Sequence, residues 1–210
     1  MMYIKSLPLG PVSANCYIIA DEVSGEGAVI DPGDYNMALE RAIEAAGIKK
    51  LKYILCTHGH FDHIDGAGRL KEKHPDAQIV VSKDDESALS SPLISLASYF
   101  GVGFHPCYAD VTMSHGDVIS LGELDFKVIS APGHTPGGVL YYCESEKALF
   151  TGDTLFCGSI GRTDMPGGDY AVLMNTLKKF KDFPDDTKIY SGHGEMTDIR
   201  RELRYNPYLR

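Results

Sequence analysis

The 210 residues contain no apolar run long enough to span a membrane, so no membrane partner is expected. Basic charge is also scarce. Twenty Lys and Arg stand against 29 Asp and Glu, a net charge of −9, and no Lys/Arg cluster offers a face that could neutralise phosphates. Nucleic-acid binding is therefore not expected. The acidic excess serves solubility and says little about a substrate, which responds to the local field of its site. The opening MMYIKSLPLG has one lysine and no long apolar stretch, so a secretory leader is not expected. There is no C-x-x-C pair. The five cysteines (Cys16, Cys56, Cys107, Cys143, Cys157) are odd in number and widely spaced, which fits a reduced, cytoplasmic protein. Cys16 and Cys56 sit in apolar runs and read as small buried thiols. No Pro/Ser-rich linker, break in composition or solenoid-length repeat divides the chain, so residues 1–210 are expected to form one domain with a sizeable core.

What is present alternates strands with helices. NCYIIA and GAVID are short apolar runs between turn residues and predict strands. YNMALERAIEAAG places Ala38, Leu39, Ala42, Ile43 and Ala46 on one helical stripe, with Gly47 as its stop. LKYILC is a further strand, GAGRLKEKHP a helix stopped by Pro75, AQIVVS a strand and KDDESALS a short helix. Residues 92–108 are irregular and aromatic. DVISLG, LDFKVISA, GVLYYCE and KALFTGD are then β-rich, DYAVLMNTLKKF is an amphipathic helix, TKIYSG a last strand, and residues 197–204 a closing helix. Two β-rich halves, each with helices, predict two sheets packed face to face with helices outside.

The chemistry concentrates in THGHFDHIDG, residues 57–66. His58 and His60, at i and i+2, cannot share a helix face, but an extended turn can aim both imidazoles at one point while Asp62 and His63 diverge toward another. Neutral imidazole and carboxylate are ligands for zinc and neighbouring divalent cations. Asp65 reads equally as the cap of the helix that follows. Three more potential ligands stand at the ends of apolar strands beside glycine: His134 in ISAPGHTPGG, Asp153 in LFTGDTLF and His193 in IYSGHGE. Each alone reads as an ordinary turn residue. Four such segments in one chain, all with compatible ligand chemistry, point to a metal centre built on a rigid sheet.

Together T-H-x-H-x-D-H at Thr57–His63, G-H-T at Gly133–Thr135, G-D at Gly152–Asp153 and G-H at Gly192–His193 resemble the metallo-β-lactamase superfamily. The segments GAVIDPGD and GDTLFCGSIGRTDMPGGD extend the resemblance over nearly the whole chain. It implies an α/β (α+β) fold, the four-layer αββα sandwich, with two divalent cations at one edge between the sheets, zinc first and iron or manganese as alternatives. His58, His60 and His134 would hold the first cation, and Asp62, His63 and His193 the second, with Asp153 bridging. Asp31, in IDPG, resembles the family's acid that steadies a ligand loop, and reads nearly as well as a turn acid before Pro32. His74, His105 and His115 match no family position.

The resemblance further implies a hydroxide bridging the cations that adds to a carbonyl carbon, with Asp62 relaying protons. True β-lactamases of the superfamily commonly carry a cysteine ligand and a secretory leader, neither of which is seen here. GDTLFCGSIGRTD and SGHGEMTDIRRELRYNPYL are instead similar to the short bacterial branch of glyoxalase II (hydroxyacylglutathione hydrolase), thioesterases acting on S-2-hydroxyacyl thioesters such as S-lactoylglutathione. Only seventeen residues follow His193, so no counterpart of the C-terminal helical domain of full-length glyoxalase II is expected. Arg162 is a candidate substrate contact or a brace against Asp164 or Asp169. Tyr99, Phe100 and Phe104 are candidate lining of the site entrance, or core. Two rival readings use the same residues. One is a persulfide dioxygenase with a single iron on His58, His134 and Asp153, and the other is a metal-binding protein of this fold that hydrolyses nothing.

Overall fold

A computed structural model describes all residues from Met1 to Arg210. Six strands form the first sheet: β1 (Met2–Leu9), β2 (Ala14–Asp21), β3 (Glu26–Ile30), β4 (Lys50–Leu55), β5 (Gln78–Ser82) and β6 (Val111–Met113), in that spatial order. The second is ordered β14-β13-β10-β9-β8-β7, from β7 (Val118–Leu121), β8 (Leu124–Ser130), β9 (Val139–Cys143), β10 (Ala148–Gly152), β13 (Lys188–Ser191) and β14 (Thr197–Asp198). A two-stranded ribbon, β11 (Leu155–Phe156) with β12 (Ser159–Ile160), follows β10.

Strand periodicity assigns each side chain to a layer. In β2, Tyr17 and Ile19 face the second sheet and meet Phe126, Tyr141 and Phe150, whereas Cys16 and Ile18 face outward onto helices. Those helices are α1 (Met37–Ala45), the single turn α2 (Phe61–Ile64) and α3 (Ala67–Lys73), which contribute Leu39, Ile43, Ile64 and Leu70. In β9, Val139 and Tyr141 face the inter-sheet core while Leu140 and Tyr142 meet α5 (Tyr170–Leu177) and α6 (Ile199–Tyr205) on the far side. The result is the expected αββα sandwich. Strands covered on both faces read as continuous apolar runs, which is why β2, β9 and β10 are fully buried. No helix is long and apolar enough to cross a membrane, and all five cysteines are unpaired.

The differences from the sequence reading have local causes. β1 pairs antiparallel with β2 along its whole length, yet as an exposed edge strand carrying Pro8 it lacks an apolar signature. Asp65 does not cap α3: its carboxylate accepts the His105 backbone N–H at 2.6 Å and its ring Nδ1 at 3.0 Å. The segment KDDESALS makes only a 3₁₀ turn, Glu86–Ser90, because the Asp85 carboxylate is engaged across the sandwich instead of capping. Within 92–108 the one helix is the short α4 (Ala97–Phe100).

Candidate metal centre

β3, β4 and β5 run parallel, and so do β8, β10 and β13 through their shared neighbours. Their carboxyl ends reach the same edge of the sandwich. There the chain leaves β4 into His58 and His60, enters α2 with Asp62 and His63, leaves β8 into His134, β10 into Asp153 and β13 into His193. Glycine makes the approach possible. Gly152 adopts φ +47°, and a Cβ there would lie 2.3 Å from the Thr57 hydroxyl; one on Gly192 would lie 2.1 Å from Asp153 Oδ1.

Three groups of candidate ligand atoms form: His58, His60 and His134; Asp62, His63 and His193; and Asp31 with His58 and His63. Asp153 stands between the first two. Its Oδ1 is 3.4 Å from His63 Nε2, and its Oδ2 is 3.5 Å from His134 Nε2 and 3.6 Å from His193 Nε2. Asp62 Oδ2 is 3.3 Å from His193 Nε2 and 3.6 Å from His63 Nε2. These gaps are long for hydrogen bonds. Bonds of about 2.0–2.2 Å to a tetrahedral cation separate neighbouring ligand atoms by roughly 3.3–3.6 Å. His58 Nε2, His63 Nε2 and Asp153 Oδ1 are buried without any hydrogen-bond partner, which is costly unless a cation satisfies them. The donor set therefore fits divalent metal.

The far sides of three rings, His58, His63 and His134, are held so that the near nitrogen keeps its lone pair. His63 Nδ1 donates to Asp31 Oδ2 at 3.0 Å. Thr57 Oγ1 donates to the same carboxylate at 2.6 Å and so accepts from His58 Nδ1 at 3.1 Å, while Thr57 N–H donates to Asp31 Oδ1 at 2.7 Å. His134 Nδ1 donates to the Arg162 carbonyl at 2.7 Å. His60 Nδ1 then donates to His134 Nε2 at 2.8 Å, a proton that a cation would displace. Asp31 orients two rings from a left-handed backbone, φ +54°, a conformation that costs a non-glycine residue about 1 kcal/mol.

Charge divides the site. Burial and the surrounding imidazoles hold His58 well below the usual histidine range, and burial, with His134 next, pushes His60 down to about 3. For His63 burial works the other way from the outcome: Asp153, Asp62 and Asp31 outweigh it and raise the ring to about 10. Asp62 is held below the usual carboxylate range despite its burial, by His63 and His193, and its carboxylate in turn raises His193. The carboxylates demand a positive charge, which the metal-free protein supplies as an imidazolium.

The remaining candidates separate. The Arg162 guanidinium is bound by Asp164 at 2.7 and 2.8 Å, and Asp169 instead caps α5 through Val172 N–H. Arg162 and Phe100 border a cavity of about 450 Å³ over Asp62, Asp153 and His193. Tyr99 borders a second, of about 430 Å³, on the other side of His60. Phe104 borders neither and packs against the core beside Phe61 and Met165. His74 meets Glu40 at 3.1 Å, His105 meets Asp65, and His115 accepts from Ser130 N–H at 3.4 Å, all outside the centre. Sequence reading missed Asp85. Its buried carboxylate accepts Gly59 N–H at 2.8 Å, Thr135 Oγ1–H at 2.7 Å and Gly137 N–H at 2.8 Å, tying the His58/His60 loop to the His134 loop. Its position just past β5, at the same sheet edge as the other site residues, was the available signal.

Comparison with known proteins agrees with this geometry. The chain is 36% identical to the hydroxyacylglutathione hydrolase GloC of Haemophilus influenzae, over 99% of this chain and 98% of that one. Three solved structures are similar. The B3 metallo-beta-lactamase BLEG-1 has TM-score 0.92 and 33% identity, covering 99% of both chains. TTHA1623 in a di-iron-bound form has TM-score 0.84 and 32% identity, covering 98% of this chain and all of that one. ETHE1 from Myxococcus xanthus has TM-score 0.78 and 30% identity, covering 98% and 83%. The family model of the metallo-beta-lactamase superfamily matches residues 9–193, which include every candidate ligand, and the chain belongs to that superfamily.

Proposed function

We propose that this protein is a binuclear metal-dependent hydrolase of the glyoxalase II type, a thioesterase that cleaves S-2-hydroxyacyl thioesters. The observation that supports it first is Asp153, whose Oδ2 lies at ligand-length gaps from His134 of the first group and His193 of the second, while Oδ1 faces His63. His58, His60 and His134 would hold one cation and Asp62, His63 and His193 the other, with Asp153 shared. Two divalent cations, zinc first and iron or manganese as alternatives, would supply an acidified water and a Lewis acid for the carbonyl oxygen.

The chain's own residues do the rest. Asp31 and Thr57 keep the His58 and His63 rings aimed inward, and the Arg162 carbonyl does so for His134. Asp62 borders the open cavity, where its carboxylate would relay a proton between water and the departing group. In the overall reaction water adds at the acyl carbon, the C–S bond breaks with its electrons leaving on sulfur, and the new acid gives up its proton. A thiolate is a good leaving group, which fits a site with no spare histidine. The likeness to GloC supports the substrate class. The proposed substrate is a small molecule in the cytoplasm, with no nucleic acid or membrane involved.

Loss of the thioester absorbance of S-lactoylglutathione, measured beside metal quantification, tests the reading. About two metals per chain with turnover that Asp153→Ala abolishes is the expected result; unchanged turnover in that variant refutes it. The likeness to ETHE1 keeps a second reading in view, a dioxygenase with one iron on His58, His134 and Asp153. One iron per chain with oxygen uptake on glutathione persulfide would replace the thioesterase. The likeness to BLEG-1 adds a chromogenic cephalosporin to the panel, and turnover of it above that of the thioester would also overturn the proposal.

A further inference from the structure

Two cavities meet at the candidate centre. One opens over Asp62, Asp153 and His193, and the other lies beyond His60, walled by Ala88, Leu93, Ile94, Leu96, Tyr99 and Pro136. His60 and Leu96 border both, so the two cavities adjoin on either side of the His60 ring. Leu93, Ile94 and Tyr99 are 72%, 51% and 67% exposed at the mouth of the second cavity. Apolar side chains held out to water around a concavity gain when an apolar ligand covers them.

The charges point the same way. No lysine borders either cavity, and Arg162 is the one arginine, its guanidinium already bound twice by Asp164. Asp84, exposed, sits on the wall of the second cavity. A glutathione arm carries two carboxylates. It carries one ammonium as well, for a net charge of −1. A single guanidinium, even released from its exposed partner, meets one carboxylate, and Asp84 could meet only the ammonium. The other carboxylate finds no protein cation along the apolar wall. The 2-hydroxyacyl half of a thioester is small and oxygen-rich, which suits the centre itself. The thiol arm is what remains to fill the apolar space.

We propose that the cavity beyond His60 is the thiol-arm subsite, and that it selects 2-hydroxyacyl esters of an apolar thiol free of carboxylates over those of glutathione. The proposal rests on the thioesterase reading of the centre and names the substrate class for it.

The test is a series of lactoyl thioesters of N-acetyl-, N-butyryl- and N-hexanoylcysteamine, compared with S-lactoylglutathione. Full burial would raise kcat/KM by up to about fourfold per methylene. A rise of at least about tenfold from acetyl to hexanoyl, carried by KM, is expected, with the glutathione ester below the hexanoyl one. Leu93→Asp, a surface change, should flatten the slope. Binding is read separately by calorimetry, with thioether analogues in which a methylene replaces the carbonyl. Binding of the hexanoyl thioether about tenfold tighter than that of its glutathione counterpart supports the subsite even if no thioester is hydrolysed, in which case only the thioesterase reading fails. Glutathione compounds equal or better in both assays, a flat series, or a gain that follows acyl length instead of the thiol overturns it.

Discussion

The His134 ring and the main chain of Arg162 are joined: Nδ1 donates to the carbonyl 2.7 Å away and leaves Nε2 facing His60 and Asp153. The useful part of Arg162 is therefore its backbone, while its side chain makes an exposed, solvent-screened ion pair that adds little to stability. Arg162→Ala keeps the carbonyl and should retain its bound metal. Gly161→Ala should not, because its Cβ would lie 1.8 Å from the Asp153 carbonyl and 3.3 Å from His134 Nδ1. Metal content after gel filtration separates the two, and the reverse pattern contradicts this account.

Both Asp31 oxygens are taken up by hydrogen bonds, and through them the carboxylate serves two rings, one directly and one through Thr57. Asp31→Asn removes the charge that fixes both tautomers. Such a change costs roughly 10–100-fold in metal affinity, read by competition against a chelator. Affinity within twofold of the parent protein would remove Asp31 from the site.

His63 makes metal-free stability depend on pH. Its folded pKa, raised to about 10, exceeds the unfolded value of about 6.5, so its contribution is complete below pH 6.5 and is lost as pH rises toward 10. Between pH 6.5 and 8, below the range where thiols titrate, unfolding free energy of the metal-free protein should fall with a slope from this residue that grows toward about 1.4 kcal/mol per pH unit. Denaturant melts at several pH values measure it. His63→Gln should flatten the slope; a slope unchanged in that variant would point elsewhere.

Asp85 joins the loop after β4 to the loop after β8 by three hydrogen bonds. Asp85→Ala strands three donors and should cost about 3 kcal/mol, or roughly 6–12 °C in melting temperature. Metal retention should fall with it, since His58, His60 and His134 lose their common register. Calorimetric melting beside metal content checks both, and a variant as stable as the parent would deny the link.

The strands that read most clearly were those buried on both faces, such as β2 and β9, where continuous apolar runs leave little ambiguity. The edge strands β1 and β6 were missed because one side of an edge needs no apolar partner, and β6 is three residues long. The aromatic stretch 92–108 could not be divided by composition. Tyr99 and Phe100 emerge at the cleft while Phe104 turns into the core, a difference made by the single turn of α4 and by Leu96 at φ +67°.

Sequence alone determined the donor inventory. An i, i+2 histidine pair, an adjacent Asp-His and three glycine-flanked donors at strand ends are local patterns, each dictated by what a short segment can aim. Tertiary structure decided which of these donors meet, because the shared edge exists only once two parallel sets of strands are stacked. It also decided the supporting contacts: Asp31 to Thr57 and His63, Asp85 across the sandwich, and the Arg162 carbonyl to His134. Those hydrogen bonds span 26 to 52 positions of chain. At that separation the pairing is set by sheet register and not by any neighbour in sequence, so an aspartate such as Asp85 reads as an ordinary turn acid until the second sheet is in place.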